Sequence, residues 1–243
     1  MIMTPPETIP QRTLRIVDAD LNRIGEGLRF LENVARLLLN DAALTQQLKT
    51  MRHELLRSDQ TFQQQLLETR DAQGDVGIHI EASGEKRPRK LSELVVANAR
   101  RVQESLRTME ELAKLPEFLP GLDSERFKQA RFHLYSIEQE LLSKLLRHDK
   151  RKRITGLYVI IDTQTLKGRS PVEAATQAIR GGAKVIQLRD KLLSKKELLS
   201  IAQELRKVCA EHDVLFIVND YLDLVLASSA DGLHVGQDDL PVK

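Results

Sequence analysis

No stretch of this 243-residue chain approaches the roughly 20 consecutive apolar residues that span a bilayer. The opening segment MIMTPPETIPQRT is broken by proline and has no apolar core, so it does not read as a signal peptide. Residues 1–12 are expected to form a disordered arm. Charge of one sign is lacking too. Lys and Arg total 37 against 35 Asp and Glu, a balance that gives no reason to expect nucleic acid or a membrane as partner. The one cysteine, Cys209, excludes an internal disulfide and fits a reducing compartment. It falls within a helical pattern and reads as a small core residue. A cytoplasmic protein is expected. There is no Gly-rich phosphate loop of known type.

What is present divides the chain into two halves of different periodicity. An apolar fraction of 41% is enough for real cores, and the length allows one or two domains. From Thr13 to about residue 146 the pattern is helical. Leu14, Val17, Leu21, Ile24, Leu28 and Leu31 recur at spacings of three and four, which draws one apolar helix face. A second stripe runs from Leu44 through Leu56 toward Leu67, a third covers Leu91 to Leu115, and a fourth opens at Ser124 and runs to Leu145. Helices of this kind pack as a bundle. The stretch Arg70 to Gly77 is a turn-rich loop, a common place for ligand contacts. Residues 147–153 read as a basic linker, in part a helix C-terminus favoured by the helix dipole.

From Ile154 strand and helix patterns alternate, which implies a parallel sheet. The all-apolar run Leu157 to Ile161 is expected to be buried on both faces. Ser170 and Pro171 open a helix, Gly181 and Gly182 close it, and Ser194 to Glu197 form a capping box for the next. The later strands are expected at Val185–Leu188, Val214–Val218 and Leu233–Val235. Three of the strands run into polar clusters: Gln187, Leu188, Arg189, Asp190 and Lys191; Asn219 and Asp220; Gln237, Asp238 and Asp239. Strand tips that carry cations, carboxylates and amides describe the active-site rim of a β/α barrel. The fold class is therefore α plus α/β, an N-terminal helical bundle followed by the first four strands of a TIM (β/α)8 barrel.

The residue types of the rim suit a diphosphate held by magnesium. Mg2+ prefers hard oxygen ligands, usually one or two carboxylates plus substrate phosphate, and Asp220 and Asp239 are placed to supply them. Arg189 can grip phosphate oxygens bidentately while Lys191 adds a point charge. Gln187 and Asn219 can hydrogen-bond a neutral heterocycle or phosphate oxygens. Asp190 and Asp238 are expected to face away or brace the loop.

The helical half contains an internal repeat. Arg23 to Glu32 recurs as Arg101 to Glu110 with the shared pattern R-[IV]-x-E-x-L-R-x-[LM]-E. One reading makes these exposed helix ion pairs, each contributing about a few tenths of a kcal/mol. The other makes the two helices a pseudo-symmetric pair whose Arg/Glu faces converge on an anion. Gly25 and Gly27 favour the second, because a glycine inside a helix costs roughly 1 kcal/mol relative to alanine. Candidates for such a site are Asn22, Arg23, Glu26, Arg29, Arg70, Asp75, Asn98, Arg101, Glu104 and Arg107.

The segments LYVIID, AIRGGAKVIQLRDK, FIVNDY and ADGLHVGQDDLP resemble the N-terminal half of thiamine-phosphate synthase. The resemblance implies that Gln187 to Lys191 and Asn219 bind hydroxymethylpyrimidine diphosphate and that Asp220 and Asp239 bind magnesium. It further implies dissociative chemistry, in which diphosphate departs before a thiazole phosphate nitrogen attacks, with Arg189 and Lys191 as the catalytic cations. The half-barrel after the fourth strand would supply the thiazole-phosphate site and a further lysine. A chain that stops at Lys243 is thus expected to be a fragment or a truncated product without synthase activity. The thiazole tautomerase is a similar barrel that lacks the full diphosphate set. In the helical half, RIVDADLNRIGEGLRFLENVAR, TRDAQGDVG and VVANARRVQESLRTMEELAKL resemble a small hydroxymethylpyrimidine-phosphate kinase domain fused ahead of this synthase, which implies ATP as co-substrate. The competing expectation is a non-catalytic docking and oligomerisation bundle. Partners are expected to be small phosphorylated pyrimidines and thiazoles, and a homo-oligomer is left open.

Overall fold

The computed structural model describes residues 11–70, 90–116, 122–237 and 239. The expected arm and Asp75 therefore lie largely or wholly outside the described residues, as does Asp238. The chain divides into two compact units, residues 1–146 and 147–243.

In the first unit α1 spans Gln11–Asn33 and continues into a π-helical turn at Val34–Leu38. Its expected stripe is the core face: Val17, Ile24, Leu28 and Leu31 are all fully buried. The stripe expected to run toward Leu67 is cut in two, as α2 (Ala42–Leu56) and α3 (Gln60–Glu68). The cause is local. Arg57 leaves helical geometry, and Asp59 caps a new helix by accepting from the Phe62 amide at 2.8 Å. At the other end of α2, Asp41 caps by accepting from Leu44 N and also pairs with Lys144 at 2.5 Å. α4 (Leu91–Leu112) ends three residues before the expected Leu115.

α1 and α4 pack closely, and Gly27 explains how. A Cβ built there would lie 2.4 Å from Val102 Cγ2, closer than atoms can approach. The second helix carries Ser105 at the repeat-equivalent position, and its hydroxyl donates to Asp20 Oδ1 at 2.8 Å. Both crossing points are thus made by small residues of the repeat.

α5 spans Ser124–Lys152, so the basic run expected as a linker forms the last turns of this helix. In the second unit Lys150 pairs with Asp231 at 3.2 Å. Then follow β1 (Leu157–Asp162), α6 (Pro171–Arg180), β2 (Ala183–Arg189), α7 (Lys195–Glu211), β3 (Leu215–Asn219), α8 (Leu222–Ser228) and β4 (Gly232–His234). All pairings are parallel and the sheet order is β1-β2-β3-β4. The caps are as expected. Ser170 accepts from the Glu173 amide, and Ser194 and Glu197 form a reciprocal capping box.

The sheet has two different faces. Ile161, Ile186, Leu188, Phe216 and Val218 are buried in one cluster with residues of α6, α7 and α8. Val185, Leu215 and Ile217 form a small patch on the other. β1 departs from the expectation of burial on both faces, since Tyr158 and Ile160, on the face opposite the helices, are exposed, as is Leu157 at the strand's first position. The physical reason is that helices cover only one side of the sheet among the described residues.

Candidate functional site

The parallel register sets which tip side chains meet. Tyr158 aligns with Val185, Gln187 with Ile160 and Ile217, Asp162 with Arg189, and Asn219 with His234. Side chains alternate along a strand, so Tyr158, Asp162, Gln187, Arg189, Asn219 and His234 share the face opposite the helices.

On that face a hydrogen-bonded string crosses the sheet. Tyr158 Oη donates to Gln187 Oε1 at 2.6 Å, and Gln187 Nε2 donates to Asn219 Oδ1 at 3.0 Å. His234 Nδ1 stands 3.0 Å from the same Asn219 oxygen. An amide oxygen only accepts, so His234 Nδ1 is the donor in this contact. Both oxygens of the string being engaged, the Asn219 amide donors remain for another acceptor. Gln187 and Asn219 are buried, where satisfied polar groups are held firmly. Burial pushes the Tyr158 hydroxyl pKa up, which keeps it a donor.

At the tips, Arg189 Nη1 pairs with Asp162 Oδ2 at 2.5 Å. Burial raises the Asp162 carboxyl, but the Arg189 guanidinium and the Thr165 and Gln164 amides outweigh it and leave its pKa below the ordinary value. Asp190 is buried and accepts from the Leu192 and Leu193 amides at 2.7 and 2.6 Å. It braces the loop, while the neighbouring Lys191 is exposed. Leu188 points into the helix-side core and can offer a ligand only its backbone. Asp220 is exposed, adopts a φ of 65°, and donates its backbone N–H to His234 O at 2.9 Å. Asp is among the residues that tolerate this left-handed geometry. Asp239 is also exposed, and its Oδ2 accepts from Gly236 N at 2.5 Å. No cluster of three or more His, Cys, Asp or Glu suited to a metal occurs among the described residues. Two carboxylates are nevertheless the usual protein share of a magnesium site completed by substrate phosphate.

Tyr158, Asp162 and His234 were not singled out in the sequence. Their signal is alternation, since each sits two or four residues from another polar or exposed position on the same strand face. It becomes legible only with the register known.

In the helical unit the structure brings some candidates together and separates others. Asn22, Glu26, Arg29 and Arg70 line one cleft of about 550 Å³ with Asp18 and Arg52. Arg70 donates Nε and Nη2 to Asp18 at 2.8 and 2.9 Å. Arg23, Arg101, Glu104, Arg107 and Asn98 are not part of this cleft. Arg23 pairs with Asp20, Asn98 Nδ2 donates to Leu94 O at 2.8 Å, and Arg101, Glu104 and Arg107 are exposed on α4.

The final glutamate of each repeat copy has a structural use. Glu32 and Glu110 are buried. Glu32 accepts from Arg29 at 3.3 Å and from Arg52 of α2 at 3.0 Å. Glu110 accepts from Arg107 at 2.7 Å and from Arg131 of α5 at 2.9 Å. Each repeat thus pins the helix that follows it through a buried carboxylate between two arginines.

Comparison with known proteins follows the same division. Residues 15–140 match the model of the ThiD2 family, and residues 157–243 match the model described as thiamine monophosphate synthase. A thiamine-phosphate synthase of Rhodopirellula baltica is 39% identical over 94% of this chain and 61% of its own length. That of Synechocystis sp. is 38% identical over 96% of this chain and 64% of its own. The chain therefore spans a little under two thirds of the length of these relatives. A solved structure, thiamine phosphate pyrophosphorylase from Pyrococcus furiosus, shares 39% identity over 34% of this chain and 40% of that one, with a TM-score of 0.31.

Proposed function

We propose, from the premise that this chain belongs to the ThiD2 family over residues 15–140 and to the thiamine monophosphate synthase family over residues 157–243, that its two units serve consecutive steps of thiamine biosynthesis. The helical unit transfers a phosphoryl group from ATP to hydroxymethylpyrimidine phosphate. The sheet unit, as the first four strands of a β/α barrel, receives the resulting diphosphate at its strand tips. In a barrel completed by the half that would bind thiazole phosphate, the bond between the pyrimidine methylene and the diphosphate breaks there, the electron pair leaves with the diphosphate, and a thiazole phosphate nitrogen forms the new C–N bond.

Each rim residue has a part in this reading. Arg189 and Lys191 offset the charge that develops on the departing diphosphate, usually the largest single contribution to such catalysis. Gln187 and Asn219 orient the aminopyrimidine. Leu188 contributes backbone, and Asp190 holds the loop that carries Lys191. Asp220 and Asp239 would hold Mg2+, which supplies electrostatic stabilisation of diphosphate oxygens when bound.

The observation that carries the proposal is the hydrogen-bonded string Tyr158–Gln187–Asn219–His234 lying beside the charged tips of the same sheet. A string of buried amides with the Asn219 N–H donors left open, next to a half-exposed guanidinium and two exposed carboxylates, suits a ligand with a flat polar ring and an anionic tail. The test is to incubate the full chain with ATP, Mg2+ and hydroxymethylpyrimidine phosphate and follow products by phosphorus NMR. A pyrimidine diphosphate signal is expected. Recovery of unchanged monophosphate would sink the kinase half of the reading.

A further inference from the structure

The two repeat copies of the helical unit are alike in their ion pairs but differ in what lies beside them. In the first copy Gly25 stands at the cleft between α1, α2 and α3, and a Cβ there would already meet Leu56 Cδ1 at 2.9 Å. The equivalent position in the second copy is Gln103, whose amide donates to Glu138 Oε2 at 2.6 Å. Asn22 of the first copy corresponds to Arg100 of the second. Arg107, the counterpart of Arg29, is held between Glu110 and Glu111, whereas the described ion pair of Arg29 is with Glu32 alone. The second copy has a hollow of its own, about 510 Å³ beside Arg107, Thr108 and Glu111, but there the arginine is tied to two carboxylates and no asparagine or second arginine joins it.

The open cleft has a definite chemistry. Its volume, about 550 Å³, falls within the range of small-molecule sites. Leu21, Leu56, Leu66 and Leu67 supply apolar walls, and Arg29, Arg52 and Arg70 line the cleft together with Asp18 and Glu26. Arginines suit phosphate oxygens through their planar fork of donors. The single surplus positive charge of the lining suits a monoester better than a triphosphate. Asn22 can pair an exocyclic amine and its neighbouring ring nitrogen bidentately, as asparagine does with an aminated heterocycle.

We infer that this cleft is the binding site for the phosphate monoester of a small aminopyrimidine, with Arg29 and Arg70 on the phosphoryl group, and that the second repeat copy is its scaffold. The inference deepens the kinase reading and rests on it for the identity of the ligand. Arg52 is a poor probe, because its loss would leave Glu32 buried without its closest cation. Arg29 and Arg70 are each about half exposed and can be changed with less risk to the fold.

The test is titration calorimetry of hydroxymethylpyrimidine phosphate, of unphosphorylated hydroxymethylpyrimidine and of ATP into the full chain and into Arg29→Gln and Arg70→Gln, with thermal unfolding to confirm that each variant is folded. The site assignment predicts a loss of about tenfold or more in affinity for the pyrimidine phosphate in both variants, with ATP and the unphosphorylated ring little changed. A loss confined to ATP would overturn the ligand assignment. Unchanged affinity in two folded variants, or no binding of the pyrimidine phosphate by the wild type, would overturn the site. Wild-type binding that obeys this pattern without any turnover would uphold the site and refute the kinase.

Discussion

Asp162 and Arg189 occupy paired positions at the C-terminal tips of β1 and β2, with Arg189 Nη1 2.5 Å from Asp162 Oδ2. The contact fixes the guanidinium that the proposed chemistry places on the diphosphate. Asp162 has a depressed pKa in the fold, so its contribution to stability is present above the unfolded aspartate value of about 3.9 and is lost as pH falls through the lower folded value. Urea unfolding of wild type and Asp162→Asn should therefore differ at pH 7 and converge as pH falls below the ordinary aspartate range. A difference that persists undiminished in acid would contradict the assignment.

Gly27 is required by the crossing of α1 and α4. Gly27→Ala improves helix propensity by about 1 kcal/mol but drives a methyl group into Val102 Cγ2. Overpacking costs typically 1–3 kcal/mol, so a net loss of stability is expected in denaturant melts. Val102→Ala in the same chain should recover part of that loss. Additive effects of the two substitutions would show that the contact is not the cause.

Glu32 lies between Arg29 and Arg52 and is almost completely buried. Removing one partner of a buried pair leaves an uncompensated charge, at a cost of about 3–5 kcal/mol. Glu32→Ala should thus destabilise far more than Arg101→Ala, which removes an exposed guanidinium. Urea midpoints compare the two directly, and equal effects would refute the pinning role given to the repeat glutamates.

Cys209 is buried and free, and burial pushes its thiol pKa up to about 12. An inert native thiol is expected. Dithionitrobenzoate at pH 8 should leave it unmodified in buffer and label one thiol per chain in urea. Because the folded thiol holds its proton more tightly than the unfolded one, this site also predicts stability that declines as pH rises above about 8.5. Rapid labelling of the native chain would show that the helical pattern around Cys209 is misread.

Much of this architecture was legible in the sequence where one residue decides local geometry. The capping box at Ser194 and Glu197, the Ser170–Pro171 helix start and the buried stripe of α1 follow from spacing alone. The division of α2 from α3 was missed because its signal, Asp59 as a cap, sits inside an apolar stripe that continues past it. The exposure of Tyr158 and Ile160 was also missed, since an apolar run cannot report which face of a sheet is covered. At the sheet rim, Gln187, Arg189 and Asn219 were evident as polar residues ending apolar strands. Asp162 and His234 became visible only through register. In the helical unit the repeat was plain, yet its Arg/Glu ladder proved to hold α2 and α5 through Glu32 and Glu110. The cleft takes only part of the candidate set, because which helix faces meet depends on tertiary packing.

The central claim is that the strand tips accept a pyrimidine diphosphate together with magnesium. Titration calorimetry of hydroxymethylpyrimidine diphosphate into the full chain, with Mg2+ and with a chelator, tests it most directly when repeated on Asp220→Ala combined with Asp239→Ala. Binding that is strong with Mg2+, weakened about tenfold or more by the chelator, and insensitive to the metal in the double variant is the predicted result. Equal affinity with and without Mg2+, or metal-dependent binding that survives loss of both carboxylates, would contradict it.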